Sequence, residues 1–364
     1  MFAKEFIQLK RDRVTFATMI IVPVMQLVLF GYAINTNPRH LPTAVLLQEQ
    51  SDIARAIIGA LENTKYFKVT HIARTPGELD HWITSGEVLF GVEIPINFAR
   101  DVRRGEVPAM LVVADASDPV AAGTALGALD GVVSSALRGL HGLPEGGAAA
   151  APFTIITQRR YNPAAVTSLN IVPGLLGTIL TMTMLIFTSL SVTREVERGT
   201  MESLLSMPID PLQIMLGKIT PYILMGFVQA AIILVAGVVI FAVPIEGSLA
   251  LLIAVTVLFV TATLAIGYTF STVATNQLQA IQMSMMFFLP NILLSGFMFP
   301  FAGMPGWAQV IGQMLPLTHY LRTVRGIMLK GAGTGDLASE IIWLTALMVA
   351  VMVIAVTRFR RTLD

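Results

Sequence analysis

Six stretches of this 364-residue chain contain no Asp, Glu, Lys or Arg: 14–34, 168–192, 219–243, 249–272, 281–301 and 341–357. About 20 apolar residues in a helix cross the hydrocarbon core of a bilayer. A charge at the centre of such a helix costs roughly 2.5–3.5 kcal/mol on insertion scales, so the gaps between charges map the membrane. With 54% hydrophobic residues, the expected fold is an α-helical polytopic membrane protein. It has six transmembrane helices and an extracytoplasmic α/β domain between spans 1 and 2.

The charges outside these stretches set the orientation. Residues 35–167 hold 11 of the 24 Lys and Arg, which makes this insert a folded domain rather than a loop. Lys4, Lys10, Arg11 and Arg13 precede span 1; Arg194, Arg198 and Lys218 lie between spans 2 and 3; Arg358, Arg360 and Arg361 follow span 6. The opposite short segments carry only Arg322, Arg325 and Lys330. The positive-inside rule places both termini in the cytoplasm and the insert outside. Span 1 is longer than a signal-peptide core and reads as a retained anchor. Residues 2–13 gather Phe2, Phe6 and Leu9 on one side and cations elsewhere, the pattern of a helix lying on the inner membrane face. A net charge of +1 argues against a nucleic-acid partner, and the chain has no Cys for a disulfide.

Within the insert, 41–47, 67–72, 88–94, 109–114 and 153–157 read as strands, with helices near 51–64, 76–85, 96–105 and 118–140. Residues 141–152 have the composition of a linker. Asp115 and Asp118 read as turn and cap residues before a helix that opens on Pro119. In the spans, Gln26, Gln229, Gln282 and Asn291 should face the bundle rather than lipid. Between spans 5 and 6, 305–314 and 318–329 read as two short helices of a partly re-entrant hairpin, with Trp307 as an interface anchor.

Residues 193–213, TREVERGTMESLLSMPIDPLQ, carry the sharpest signal. Gly199 breaks the helix, Thr200 is an N-cap and Pro208 ends the next piece. Met201, Leu204 and Leu205 form an apolar knob ringed by Arg194, Glu195, Glu197, Arg198 and Glu202. A charged rim around an apolar centre is the build of a protein–protein contact. This run resembles the cytoplasmic signature of type-2 ATP-binding-cassette (ABC) exporter permeases. Two further matches are Tyr161-Asn162-Pro163 before span 2 and Leu293-Leu294-Ser295-Gly296-Phe297, the latter followed by Pro300 and Met304-Pro305-x-Trp307. The one-plus-five span layout with its large outer domain resembles the bacterial multidrug-export branch.

The resemblance implies a cytoplasmic interfacial helix at 1–13, span 1 at 14–34 and a periplasmic α/β domain at 35–167. It implies a five-span domain at 168–357 with a coupling helix within 193–213 and an outer re-entrant hairpin at 302–331. A cytoplasmic tail follows at 358–364. It implies an inner-membrane permease subunit of an ATP-driven exporter of an amphiphilic or apolar small molecule, working by alternating access. No G-x-x-x-x-G-K-[ST] phosphate loop occurs in the chain. ATP and magnesium therefore belong to a separate cytoplasmic ABC ATPase, and the chain itself is no enzyme and holds no cofactor or metal. The other implied partners are a second permease copy or paralogue, a periplasmic adaptor and the lipid bilayer. Residues Arg194, Glu195, Glu197, Arg198, Gly199, Thr200, Met201, Glu202, Leu204 and Leu205 would couple to the ATPase. Spans 2 and 5 would line the translocation path through Thr181, Met184, Met285, Asn291 and Ser295. A membrane-bound sensor with an outer ligand-binding domain is the alternative; the short cytoplasmic pieces leave it no output module.

Overall fold

A computed structural model describes residues 38–129, 131–132, 152–199 and 211–361. The expected surface helix at 2–13, span 1, most of the 141–152 linker, the knob at 200–205 and the tail beyond 361 lie outside the described residues.

The insert folds as a five-stranded sheet in the order β2-β1-β3-β4-β5. The strands are β1 (Leu41–Leu47), β2 (Phe67–Ala73), β3 (Phe90–Ile94), β4 (Ala109–Asp115) and β5 (Thr154–Arg160). β1 pairs in parallel with β2 and β3, β4 in parallel with β5, and β3 antiparallel with β4. The near-continuous apolar run of β1 is buried on both faces, as a central, mostly parallel strand must be. Leu41, Val45 and Phe90 face one core and Ala44, Leu46 and Val113 the other. The helices are α1 (Asp52–Asn63), α2 (Pro76–Ser85), α3 (Phe98–Arg103) and α4 (Pro119–Gly127). Three of the four starts are capped by the preceding side chain. Ser51 Oγ accepts from Ala54 N at 3.1 Å, Thr75 Oγ1 from Glu78 N at 3.3 Å, and Asp118 Oδ1 from Val120 N and Ala121 N at 3.1 and 3.3 Å. Asp115 Oδ1 takes the Ser117 N–H at 3.0 Å, so both aspartates do have the turn and cap roles read from the sequence.

The Tyr161-Asn162-Pro163 step joins sheet to bundle. The Asn162 side chain is buried and bonds both backbone groups of Val166, at 2.7 and 3.0 Å. Tyr161 sits at φ 68°, and its hydroxyl meets Thr84 Oγ1 at 3.1 Å.

The bundle consists of α5 (Thr167–Glu197), α6 (Pro211–Phe241), α7 (Leu249–Val273), α8 (Gln277–Leu294), α9 (Gly306–Gln313), α10 (Pro316–Lys330) and α11 (Ala338–Arg361). Among the described residues, α5, α6, α7 and α11 contain segments long and apolar enough to cross a membrane. The expected span 281–301 needs correcting. α8 starts at Gln277, where Asn276 caps it and Gln279 Oε1 accepts from Thr275 N at 2.6 Å. It stops at Leu294, because Gly296 takes φ 86° and the Ser295 hydroxyl bonds Ile292 O at 3.0 Å. Its 18 residues span about 27 Å. A 3-10 turn at Phe301–Gly303 then leads into the two hairpin helices.

α7 lies at the centre, with α5 on one side and α10 on another. The Phe259 and Tyr320 rings stack at 4.0 Å, and the Tyr320 hydroxyl meets Thr256 Oγ1 at 2.9 Å. α5 and α7 approach at Gly267, where a Cβ would lie 2.9 Å from the Leu185 carbonyl oxygen. Small residues let helices close up in this way within lipid. Gln229, read as facing the bundle, accepts from Thr183 Oγ1 at 2.9 Å.

Candidate functional site

Two regions carry the polar chemistry of the bundle. The first is the junction where α5 ends. Its last turn holds Arg194, Glu195 and Glu197, Arg198 follows, and Gly199 takes φ 69°. The backbone N–H of Gln277 donates to Glu197 Oε1 at 2.7 Å, and the Gln277 amide donates to Glu197 Oε2. Arg194 Nε donates to Gln277 Oε1 at 3.3 Å. Gln277 opens α8, so Glu197 places its charge against an N-terminus that carries unpaired N–H groups and positive dipole. The two bonds from Gln277 hold the Glu197 carboxyl below the usual carboxylate range. Higher up, Ser284 Oγ donates to Ser189 Oγ at 3.0 Å, a second tie between α5 and α8. The two helices are thereby tied at both points. Sequence reasoning missed Gln277, since no local pattern links it to a glutamate 80 residues earlier.

The five candidate path residues are distributed unevenly. Thr181 is buried with its hydroxyl on Gly177 O at 2.7 Å, and Met184 packs in the bundle core against α6 at Gly226. Met285 is half-buried. Asn291 is buried, and its Oδ1 has no hydrogen-bond partner. Ser295 lines the cavity between the sheet domain and α10; the other four do not line it.

That cavity, about 360 Å³, is the second region. It lies between the sheet domain and α10. Its floor is Ser295 and Gly296 at the end of α8, and Asp115, Asp118, Arg322, Arg325 and Lys330 stand around it. Lys330 Nζ reaches from α10 into the sheet domain, 2.5 Å from Asp115 Oδ2 and 3.1 Å from Ile83 O, and 5.4 Å from the Tyr161 ring centroid. Both partners of this ion pair are nearly sealed, with side chains 7% and 2% exposed. Arg322 Nη1 meets Glu340 Oε1 at 2.9 Å, and His319 Nδ1 meets the other oxygen of Glu340 at 2.5 Å. Thus α10, the hairpin's long helix, is clamped to the sheet domain by one pair and to α11 by another. The pattern of isolated cations in the hairpin was visible in sequence; their carboxylate partners were not.

Comparison with known proteins agrees with this architecture. A family model described as "ABC-2 family transporter protein" matches residues 13–357. The chain is 32% identical over 367 residues to "Probable multidrug ABC transporter permease YbhS" of Escherichia coli K12, covering 99% of this chain and 96% of that protein. It is 27% identical to "Probable multidrug ABC transporter permease YbhR" of the same organism, covering 93% and 90%. It is 30% identical to "Inner membrane transport permease YhhJ", also from that organism, covering 88% and 86%. Apolar spanning helices, a sheet domain inserted before them and a family match over nearly the whole length place this chain in the ABC-2 family of transporter proteins.

Proposed function

We propose that this chain is the permease subunit of an ATP-driven multidrug-type exporter of the inner membrane, moving an amphiphilic or apolar small molecule outward by alternating access. The names of the relatives support a multidrug permease. The observation that carries the mechanism is the junction at the end of α5. One helix runs from the bundle to the segment at 200–205 and is bonded to the start of α8 through Glu197 and Gln277. In this reading, Met201, Leu204 and Leu205 seat in a groove of a separate ATPase that binds ATP and magnesium, and Glu202 and Arg198 set the register. Closure of the ATPase pair pushes α5 and α8 together, shifting the bundle between inward- and outward-open states. A second permease copy or paralogue completes the transporter. A periplasmic adaptor would dock on the sheet domain.

The path would run along α5 and α8, past Thr181, Met184, Met285 and Asn291, toward Ser295 and its cavity. Uncharged, Met-rich walls suit varied apolar ligands. Trp at Ser295 or at Thr181 should slow ATP-dependent dye export from vesicles, or change which dyes are exported, in well-inserted protein. Unchanged export and dye profile for both variants would move the path elsewhere.

A further inference from the structure

The charges around the cavity beneath the sheet domain are settled within the protein, with one exception. Lys330 is occupied by Asp115 and Ile83 O. Arg322 is occupied by Glu340 and lies 4.4 Å from the Phe301 ring centroid. Arg325 donates from Nη1 to the Gly296 carbonyl oxygen at 3.2 Å, but its Nε and Nη2 are closed to solvent and meet no acceptor. Nε and Nη2 form one edge of the planar guanidinium, the edge that grips an oxyanion through two parallel bonds. An unpaired buried donor of this kind is costly, and such a group calls for an explanation.

The surroundings point to the missing acceptor. Asp118 borders the same cavity, and its Oδ1 is already engaged in capping α4. Burial pushes the Asp118 carboxyl above the usual carboxylate range, against the pull of the Arg325 charge, which lessens its repulsion of an incoming anion. Beside the charges, Leu321, Leu337 and Phe301 give the wall an apolar portion. The volume is that of a small-ligand site.

We propose that this cavity binds the oxyanion head group, phosphate or carboxylate, of an amphiphile, held side-on by Nε and Nη2 of Arg325, with the start of its apolar tail against Leu321 and Leu337. A hydroxyl or ammonium next to the oxyanion would donate to Asp118. Entry uncovers the Arg325 edge through a small shift of the sheet domain against α10. The binding step stands on the cavity and this shift; only the ligand's arrival through the bundle rests on the exporter reading.

The test uses the purified full chain in maltoside detergent, without any ATPase, so that its outcome is independent of export. Decyl phosphate is titrated by calorimetry, with decyltrimethylammonium as the cationic control. Saturable binding of decyl phosphate but not of the control is expected. Arg325→Gln should weaken it about tenfold or more, and Arg325→Lys should recover only part of the loss because it lacks the fork. Asp118→Asn keeps the helix cap and removes a negative charge, so it should tighten binding. If Arg325→Gln fails to fold, Asp118→Asn decides, assayed at alkaline pH where the Asp118 carboxyl is ionised: tighter binding supports the site, and unchanged binding overturns it. Mass spectrometry of co-purified lipid separates the sources. Phospholipid retained by wild type and lost from Arg325→Gln marks the bilayer as the source; lipid-free wild type that binds decyl phosphate marks a delivered amphiphile. No binding by lipid-free wild type, or equal binding and equal retained lipid in wild type and Arg325→Gln, would overturn the proposal.

Discussion

Removing Lys330 should loosen the sheet domain from the bundle more than any other single charge change at their interface. Lys330 and Asp115 are 2.5 Å apart with side chains 7% and 2% exposed. Breaking a buried pair by deleting one partner costs about 3–5 kcal/mol, because the remaining charge stays desolvated and uncompensated. In Lys330→Met, the Asp115 carboxylate keeps one hydrogen bond, from the Ser117 N–H at 3.0 Å, and the more distant attraction of Arg325. The Ile83 carbonyl, 3.1 Å from Nζ, also loses its donor. At roughly 2–4 °C per kcal/mol for a folding unit of 150–250 residues, thermal unfolding should fall by about 6–20 °C. Trp82, packed against His71 with ring centroids 4.8 Å apart, reports the sheet domain by fluorescence. The double variant Lys330→Met with Asp115→Val should recover most of the loss, since it removes both charges. A Lys330→Met protein that unfolds at the wild-type temperature would refute the clamp.

Three further outcomes follow from other contacts. Gly267→Ala should cost about 1–3 kcal/mol of bundle stability through overpacking, and Gly267→Val more, because the added Cβ meets backbone at Leu185 O, 2.9 Å away; chemical denaturation in mixed micelles measures it. The Glu197 carboxyl titrates below its unfolded value. Its contribution is therefore full above the unfolded value and lost as pH falls through the lowered native one; wild type should lose stability across that acidic window, and Glu197→Gln should lack that component of the loss. Single Cys residues at Ser51 and Gly142 should react with an impermeant thiol reagent from outside the cell, with Ser203→Cys silent; the chain has no native Cys to confuse the labelling, and the reverse pattern would invert the topology.

Local chemistry made much of the fold legible. β1 is found at Leu41–Leu47 as read, because a single apolar run is bounded by Arg39-His40 and Gln48-Glu49. β5 was read as ending at 157 but continues through Gln158, Arg159 and Arg160, since an edge strand can expose polar side chains that hide its length. The end of α8 was misread because apolarity continues past Leu294, whereas the backbone stops where Gly296 turns left-handed. The junction was legible from the α5 side only: Gly199 and the charged rim are a local pattern, but Gln277 reaches them through the fold. The cavity was not legible at all. Lys330 and Asp115 are 215 residues apart, and the unpaired edge of Arg325 exists only because the end of α8, α10 and the α4 cap converge.

The central claim is that this permease is driven through the segment after Gly199. The direct measurement is co-purification with a co-expressed phosphate-loop ATPase, followed by ATP-dependent dye export in vesicles, for wild type and for Leu204 and Leu205 both changed to Asp. The account predicts that wild type captures the ATPase and exports dye, while the double variant inserts normally but captures less ATPase and no longer couples hydrolysis to export. A double variant that binds the ATPase and exports dye as wild type does would contradict it.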